Sequence, residues 1–305
     1  MPASPHGESR QLAPQLRAVS KTALVVCGPT ASGKSALSDC LAERLTDSLG
    51  RHVPTLAVDS MQVYREIPEI TNQARRRPAE LVGIVSVTEE WTVARHRERA
   101  EEIIASEAPA HFVLDAGTGM YLNAMLLNIP LAPQVSPELR LRAQKAAEGE
   151  RNPRRAARAK ELELAGTEKR GSIWVGDLRY DTAVVYLRPE RVVIDSAIAE
   201  RSRRITREGL REAEAIKEMI SSGARINPSV LDAVGVRELT QCLSGAISLQ
   251  QAEESIATRT RQLARRQMRW FDKLARAIEG RARVTTLHDA ANEEVLHSMH
   301  DIIGI

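Results

Sequence analysis

Cysteine is scarce in this chain and carries no pattern. Cys27, Cys40 and Cys242 form no CxxC pair and do not reach the even count of a disulfide scaffold, which points to a reducing compartment and predicts the cytoplasm. Aromatic residues make up only 3 %, so the chain is not built around aromatic stacking platforms. No apolar run approaches the roughly 18 to 20 residues that a membrane span needs, and a soluble protein with no membrane partner is expected. The N-terminal stretch MPASPHGESRQLAPQLRAVS has no apolar centre and reads as a tail, not a signal peptide. Excess charge is also missing. A formal +3 in 305 residues does not by itself establish nucleic-acid binding, so the placement of the arginines matters more than their sum.

What the chain has is length and order. At 305 residues it can bury a full α/β core and still carry a smaller second unit. Thr22–Cys27 is a short apolar run that ends at a glycine turn, as a buried parallel strand would. Leu37, Cys40, Leu41 and Leu45 then recur at helical spacing. TLAV before Asp59, HFVLDAGTG and TAVVYLRP are further strands, and Val93, His96 or Arg97, Ala100, Ile103 and Ile104 mark an amphipathic helix. Strand–helix alternation predicts an α/β fold of the P-loop NTPase type: a parallel sheet flanked by helices, with functional groups at the carboxyl ends of its strands. The expected divisions are a disordered tail at 1–20, the first part of the α/β core at 21–129, and an inserted helical arm at 130–181 where Arg, Lys, Glu and Ala dominate. A core strand with C-terminal helices follows at 182–280, then a C-terminal extension at 281–305.

Gly28-x-x-x-x-Gly33-Lys34-Ser35 has the spacing of a phosphate loop and lies between a predicted strand and helix. Backbone N–H groups from Gly28 to Ser35, with Ala31 and Ser32 between, would face a diphosphate. The helix N-terminus adds about half a positive charge, Lys34 adds a full one, and the Ser35 hydroxyl can hold Mg²⁺. The motif does not say whether the ligand is a nucleotide. Asp59 ends the second strand on the same sheet edge. A carboxylate facing a diphosphate there would be repelled unless it holds Mg²⁺ or takes a proton from a nucleophile. Gln62, as an amide, can bracket a base edge.

GPTASGKS followed by DSMQVYR resembles the tRNA dimethylallyltransferase (isopentenyl pyrophosphate transferase) family, of which this chain looks like a divergent member. AGTGMYLNAMLL, AVGVREL and TRQLARRQMRWF are similar to three later segments of that family, in the same order, and the matches run from about Leu24 to Phe271. The resemblance implies that the loop holds dimethylallyl diphosphate and that Mg²⁺ sits on Ser35. It implies that Lys34, Ser35 and Arg237 stabilise the departing pyrophosphate, with Thr30 near the bridging oxygen. Asp59 would accept a proton from the N6 amine of an adenosine in the anticodon arm of tRNA. Ser60, Gln62, Tyr64, Thr118, Gly119 and Tyr121 would shape the substrate channel, and Arg259, Arg261, Gln262, Arg265, Arg266 and Gln267 would meet the RNA. A monomer is expected.

The chain departs from the family pattern at EITNQARRRP, where Gln73 stands at the usual lysine position, at ELVGIVSV, and at Ala116 preceded by Asp115. The insert also looks short. These departures leave rivals open. One is transfer of the same prenyl group to free AMP, ADP or ATP. Another is a small-molecule kinase with Asp115 as its Mg²⁺ partner and Arg201 to Arg207 as a phosphate lid, and a third is a non-catalytic RNA-binding relative. Trp270 and Phe271 read as core residues, and His297 with His300 as a surface pair with no third ligand.

Overall fold

The computed structural model describes residues 21–106, 111–131, 135–150, 153–166 and 171–289. The tail at 1–20 and the pair His297 and His300 lie outside the described residues. In chain order the elements are β1 (Thr22–Cys27), α1 (Lys34–Leu49), β2 (Thr55–Val58), α2 (Pro68–Thr71), α3 (Val93–Ser106), β3 (His111–Ala116), α4 (Gly119–Leu126), α5 (Pro137–Ala146) and α6 (Pro153–Leu164). They continue with β4 (Asp181–Leu187), α7 (Arg191–Glu208), α8 (Leu210–Ser221), α9 (Pro228–Leu231), α10 (Val236–Leu243), α11 (Leu249–Ala277) and β5 (Arg283–Leu287).

The five strands form one parallel sheet in the order β2-β3-β1-β4-β5. Its three central strands are apolar on both faces because helices cover both, as a parallel sheet requires. Val25, Leu114 and Val184 pack toward α4 and the C-terminal part of α11, whereas Leu24, Val26, Val113 and Val185 pack toward Leu37, Leu41 and Leu45 of α1. Register sets the height of the functional edge: Cys27 pairs with Ala116 and Tyr186, and Val58 with Ala116. The loops that follow β1, β2 and β3 therefore leave the sheet at one level. Among the described residues no helix is long and apolar enough to cross a membrane.

Two features differ from the sequence-based expectation. Residues 281–289, expected to begin an extension, supply β5 beside β4. RVTTL is short, half polar and largely solvent-facing, so it lacks the apolar run that marks a central strand. A third cluster, built from Val63, Tyr64, Ile67 and Ile70 with Ile216, Val236, Leu239 and Ile256, lies beyond the sheet and joins the segment after β2 to α8, α10 and α11. Within the segment 130–181, α5 and α6 pack on each other. The irregular stretch that returns from it to β4 is tied to the core, where the Asn123 side chain donates to the Ile173 carbonyl at 2.9 Å and Trp270 Nε1 donates to Asn123 Oδ1 at 3.1 Å.

On α3 the buried position is His96, not Arg97. Its Nδ1 accepts from Trp91 Nε1 at 3.1 Å, and its Nε2 is buried without a partner. Burial pushes the imidazole down to about 4. A histidine with a depressed folded value stabilises the fold above its ordinary value and loses that contribution as pH falls toward 4. From pH 7 to pH 5 the wild type should lose about 2 kcal/mol of unfolding free energy through this residue. Urea unfolding at the two pH values should show that loss reduced in His96→Gln, which keeps an acceptor for Trp91; an unchanged loss would mean that His96 is not its source.

Candidate active site

The phosphate loop is held open by backbone geometry. Gly33 takes φ 82° and Ala31 φ 64°, and a methyl on Gly28 would lie 2.8 Å from the Leu187 carbonyl oxygen. No side chain caps the start of α1, which leaves the first N–H groups of a sixteen-residue helix facing an anion site. Thr30 is buried, and its N–H donates to Gln267 Oε1 at 2.8 Å. Gln267 Nε2 donates in turn to the Gly117 carbonyl at 2.7 Å. Gln267, expected to meet RNA, thus bridges the loops after β1 and β3 from α11.

Asp59 is fixed by its own turn. Its Oδ1 accepts from the N–H groups of Met61 at 2.8 Å and Gln62 at 3.3 Å. Its Oδ2 is directed to the phosphate loop: a methyl on Gly117 would sit 2.7 Å from that oxygen, 3.3 Å from Lys34 Cε and 3.6 Å from Lys34 Nζ. The carboxylate and the lysine therefore flank one point, and only the bare backbone of Gly117 leaves room for both. Ser60 N–H donates to Thr118 Oγ1 at 3.1 Å, which ties the Asp59 turn to the turn after β3.

Two cavities meet here. A cleft of about 600 Å³ runs between α1, α7 and residues 72–76 and is lined by the cations Lys34, Arg75, Arg76, Arg201 and Arg204. A smaller chamber of about 110 Å³ holds Thr30, Asp59, Gln62 and Gln267, with apolar walls from Ile70, Ile205 and Leu263. Lys34, Ser35, Asn72 and Arg201 line both. Burial, with Arg204 beside it, lowers Arg201 to about 10, Asp59 pulling the other way, so Arg201 remains cationic at neutral pH.

Arg201 was expected near phosphate only in the kinase reading, as the first residue of the Arg201–Arg207 lid; it lies on α7 and lines both cavities with Lys34. Arg237, expected at the pyrophosphate, stands instead at the start of α10, half exposed and 3.6 Å from Asp232, and lines neither cavity. The glycine that precedes α10, Gly235, turns the chain with φ 100° against Ile70 and Ile205, which directs Arg237 outward.

The channel candidates divide. Gln62 lines the small chamber while its Nε2 donates to the carbonyls of Asn72 at 3.0 Å and Thr71 at 3.3 Å. Tyr121 is half-buried against the His96 ring, and burial, followed by Tyr64 and Asp59, raises its phenol. Tyr64 is a core residue whose hydroxyl accepts from Asn227 Nδ2 at 3.1 Å. Gly119 gives way to Trp270, whose ring would lie 2.2 Å from a methyl there.

The basic face of α11 divides as well. Arg259 is committed to the buried Glu238 at 2.5 Å and to the Asp232 carbonyl at 2.6 Å, and Arg261 lies 3.5 Å from Asp195. Gln262, Arg265, Arg266 and Arg269 are at least partly exposed.

Asp115, the metal partner in the kinase reading, is buried and bonded at 2.6 Å to Arg75, so it is already engaged by a cation. Among the described residues no group of three or more His, Cys, Asp and Glu side chains could hold a metal ion. Ser35, which lines both cavities beside Lys34, carries the hydroxyl that could serve as one protein ligand to an ion held mainly by diphosphate oxygens and water.

Residues 62–274 match the family model described as IPP transferase. The chain is 61 % identical over 284 residues to a tRNA dimethylallyltransferase of Rubrobacter xylanophilus, covering 92 % of this chain and 98 % of that protein. It is 32 % identical over 277 residues to one of Gloeothece citriformis, covering 81 % and 87 %. A solved tRNA isopentenylpyrophosphate transferase of Bacillus halodurans superposes with a TM-score of 0.66 at 25 % identity, covering 93 % of this chain and 96 % of that one. A phosphate loop whose lysine faces a strand-end carboxylate, on a fold shared with these proteins, places the chain in the IPP transferase family and makes it a transferase.

Proposed function

We propose that the chain transfers a dimethylallyl group from dimethylallyl diphosphate to the N6 amine of an adenosine beside the anticodon of tRNA, releasing pyrophosphate. The observation that carries this reading is the convergence of Asp59 Oδ2 and Lys34 on one point beside Gly117. The family relatives at 61 % and 32 % identity, both tRNA dimethylallyltransferases, support the acceptor, as do the exposed arginines of α11.

In this reading the diphosphate rests on the N–H groups of the phosphate loop, with Lys34 and Arg201 at its oxygens. Mg²⁺ on Ser35, when bound, neutralises further charge on the leaving group. N6 attacks the allylic carbon as that carbon's bond to oxygen breaks. The N6 proton passes to Asp59 Oδ2, since Oδ1 is engaged by two backbone donors. Charge grows on the pyrophosphate as it leaves, so cations fixed in a partly buried site favour the transition state over the ground state. Thr30, whose N–H is held by Gln267, lines the chamber and in this reading would stand near the bridging oxygen.

Asp59→Ala should lower kcat by about 10²-fold while changing the donor KM little, as loss of a general base does. Steady-state kinetics should further separate two arginines: Arg201→Ala raises the donor KM, whereas Arg237→Ala leaves it near wild type. The reverse ranking would restore Arg237 to the diphosphate. The double change Arg265→Glu and Arg266→Glu should weaken tRNA binding and flatten its salt dependence by about one to two units of slope. Fluorescence anisotropy across a salt series reads this directly, and an unchanged slope would move the RNA elsewhere.

A further inference from the structure

Arg75 is the least expected cation in the molecule. It lies in QARRRP, where the chain departs from the family pattern, and its side chain is only 4 % exposed. Both its neighbours are buried carboxylates: Asp39 on the second turn of α1 and Asp115 near the end of β3. Arg75 donates to Asp39 Oδ1 through Nη2 at 2.7 Å and Nε at 3.2 Å, to Asp115 Oδ2 at 2.6 Å, and to the Ser35 carbonyl at 3.4 Å. The other oxygen of Asp39 accepts from the backbone N–H groups of Arg76 at 3.2 Å and Arg77 at 3.4 Å. Burial opposes the charge on Arg75, but the two carboxylates more than offset it.

Three elements meet at this one side chain: the phosphate-loop helix, the central strand beside it, and the segment that follows α2. That segment also reaches the site. Asn72, three residues before Arg75, closes α2 in the left-handed conformation with φ 57°. Its carbonyl accepts from Gln62, its side-chain oxygen accepts from Arg204, and it lines the wall shared by the two cavities with Lys34, Ser35 and Arg201. The distance between the diphosphate cradle and the Gln62 side of the chamber is therefore spanned by residues 72–75, and Arg75 is their buried attachment to α1, beside the Arg76 and Arg77 N–H groups on Asp39 and the exposed pair Arg76–Glu43. A lysine cannot make this attachment, because a single ammonium does not present the planar fork that engages two carboxylates and a carbonyl together.

We propose that Arg75 is a positioning residue for the transfer: gripped by Asp39 and Asp115, it fixes residues 72–77 against the phosphate-loop helix and so sets where Asn72, with Gln62 and Arg204 bonded to it, stands relative to Lys34 and Ser35. This rests on the reading above that the cradle takes a diphosphate. It separates Arg75 from the arginines of the cleft that touch the ligand themselves.

The test uses the full chain as R75K and as D39N. D39N leaves one buried guanidinium with one buried carboxylate and turns an amide N–H₂ toward either Arg75 or the Arg76 and Arg77 N–H groups. Calorimetry with inorganic pyrophosphate and steady-state kinetics with dimethylallyl diphosphate and tRNA give the readouts. Each variant should weaken pyrophosphate binding and raise the donor KM about five-fold or more and lower kcat about ten-fold, with the tRNA KM within about two-fold of wild type, as misplacement of a cradle wall requires. A role confined to stability would lower the active fraction, hence kcat alone, and leave donor KM and pyrophosphate affinity at wild type; that result overturns the proposal. R75K combined with Asn72→Ala should lose no more pyrophosphate affinity than the worse single change, because both act through Asn72, and fully additive losses would also overturn it. If R75K does not fold, D39N and its combination with Asn72→Ala decide the matter. Wild type that binds pyrophosphate but prenylates no tRNA would sink the functional reading instead, leaving the comparison of pyrophosphate affinities to judge Arg75.

Discussion

The site depends on a close approach that only a missing side chain permits. β1, β2 and β3 end at one level because Cys27, Val58 and Ala116 are held in register, and the loops after them carry Lys34, Asp59 and Gly117. With any side chain at Gly117, a carbon would stand 2.7 Å from Asp59 Oδ2 and 3.3 Å from Lys34 Cε, and the carboxylate and the lysine could not share that space. In the proposed transfer Lys34 faces the departing pyrophosphate and Asp59 the nucleophile, on either side of that space. The cations of the larger cleft outnumber the carboxylates there, Asp39 and Glu200, so an anion is favoured on one side of Lys34 and a neutral, half-apolar group on the other.

α11 is the spine that holds this arrangement together. Along its length Arg259 closes on Glu238 and Asp232, Gln267 joins two functional loops, Trp270 fills the space left by Gly119, and Phe271 enters the main core. Its exposed arginines occupy the surface left over after these inward duties are met. A basic helix here therefore meets structural demands on its inward face and leaves arginines exposed on the other. The helical pair α5–α6 is joined to the core through Asn123 and Ile173 close to Trp270, so the inserted unit and the spine are fastened at the same place.

Much of this was legible from residue order. The run TALVVC before a glycine turn, the phosphate-loop spacing and Asp59 at the end of TLAV required only local periodicity and the rule that parallel sheets present function at their carboxyl edge. Other parts depend on contacts between residues far apart in the chain. Arg201 and Arg237 look alike in sequence, and the difference between them comes from the turn at Gly235 and the packing of α7 on α11, which leaves Arg201 facing the cleft beside α1. Gln267 carries no local mark of a bridging role, because its partners Thr30 and Gly117 are set by the sheet. Arg259 and Arg265 belong to one charge run, and only the burial of Glu238 separates them. β5 escaped notice because an edge strand half open to solvent needs no apolar run, and the buried trio of Arg75, Asp39 and Asp115 is invisible until α1 and β3 are brought side by side.

In the proposed transfer one small chamber brings the leaving pyrophosphate and the nucleophilic nitrogen to opposite sides of Gly117. A crystal structure of the chain with pyrophosphate and an anticodon stem–loop carrying the unmodified adenosine tests it most directly. Pyrophosphate is expected on the phosphate loop against Lys34 and Arg201, with the N6 amine in hydrogen-bond reach of Asp59 Oδ2. An adenine bound elsewhere, or a purine ring occupying the cationic cleft with its own phosphates on Lys34, would contradict it.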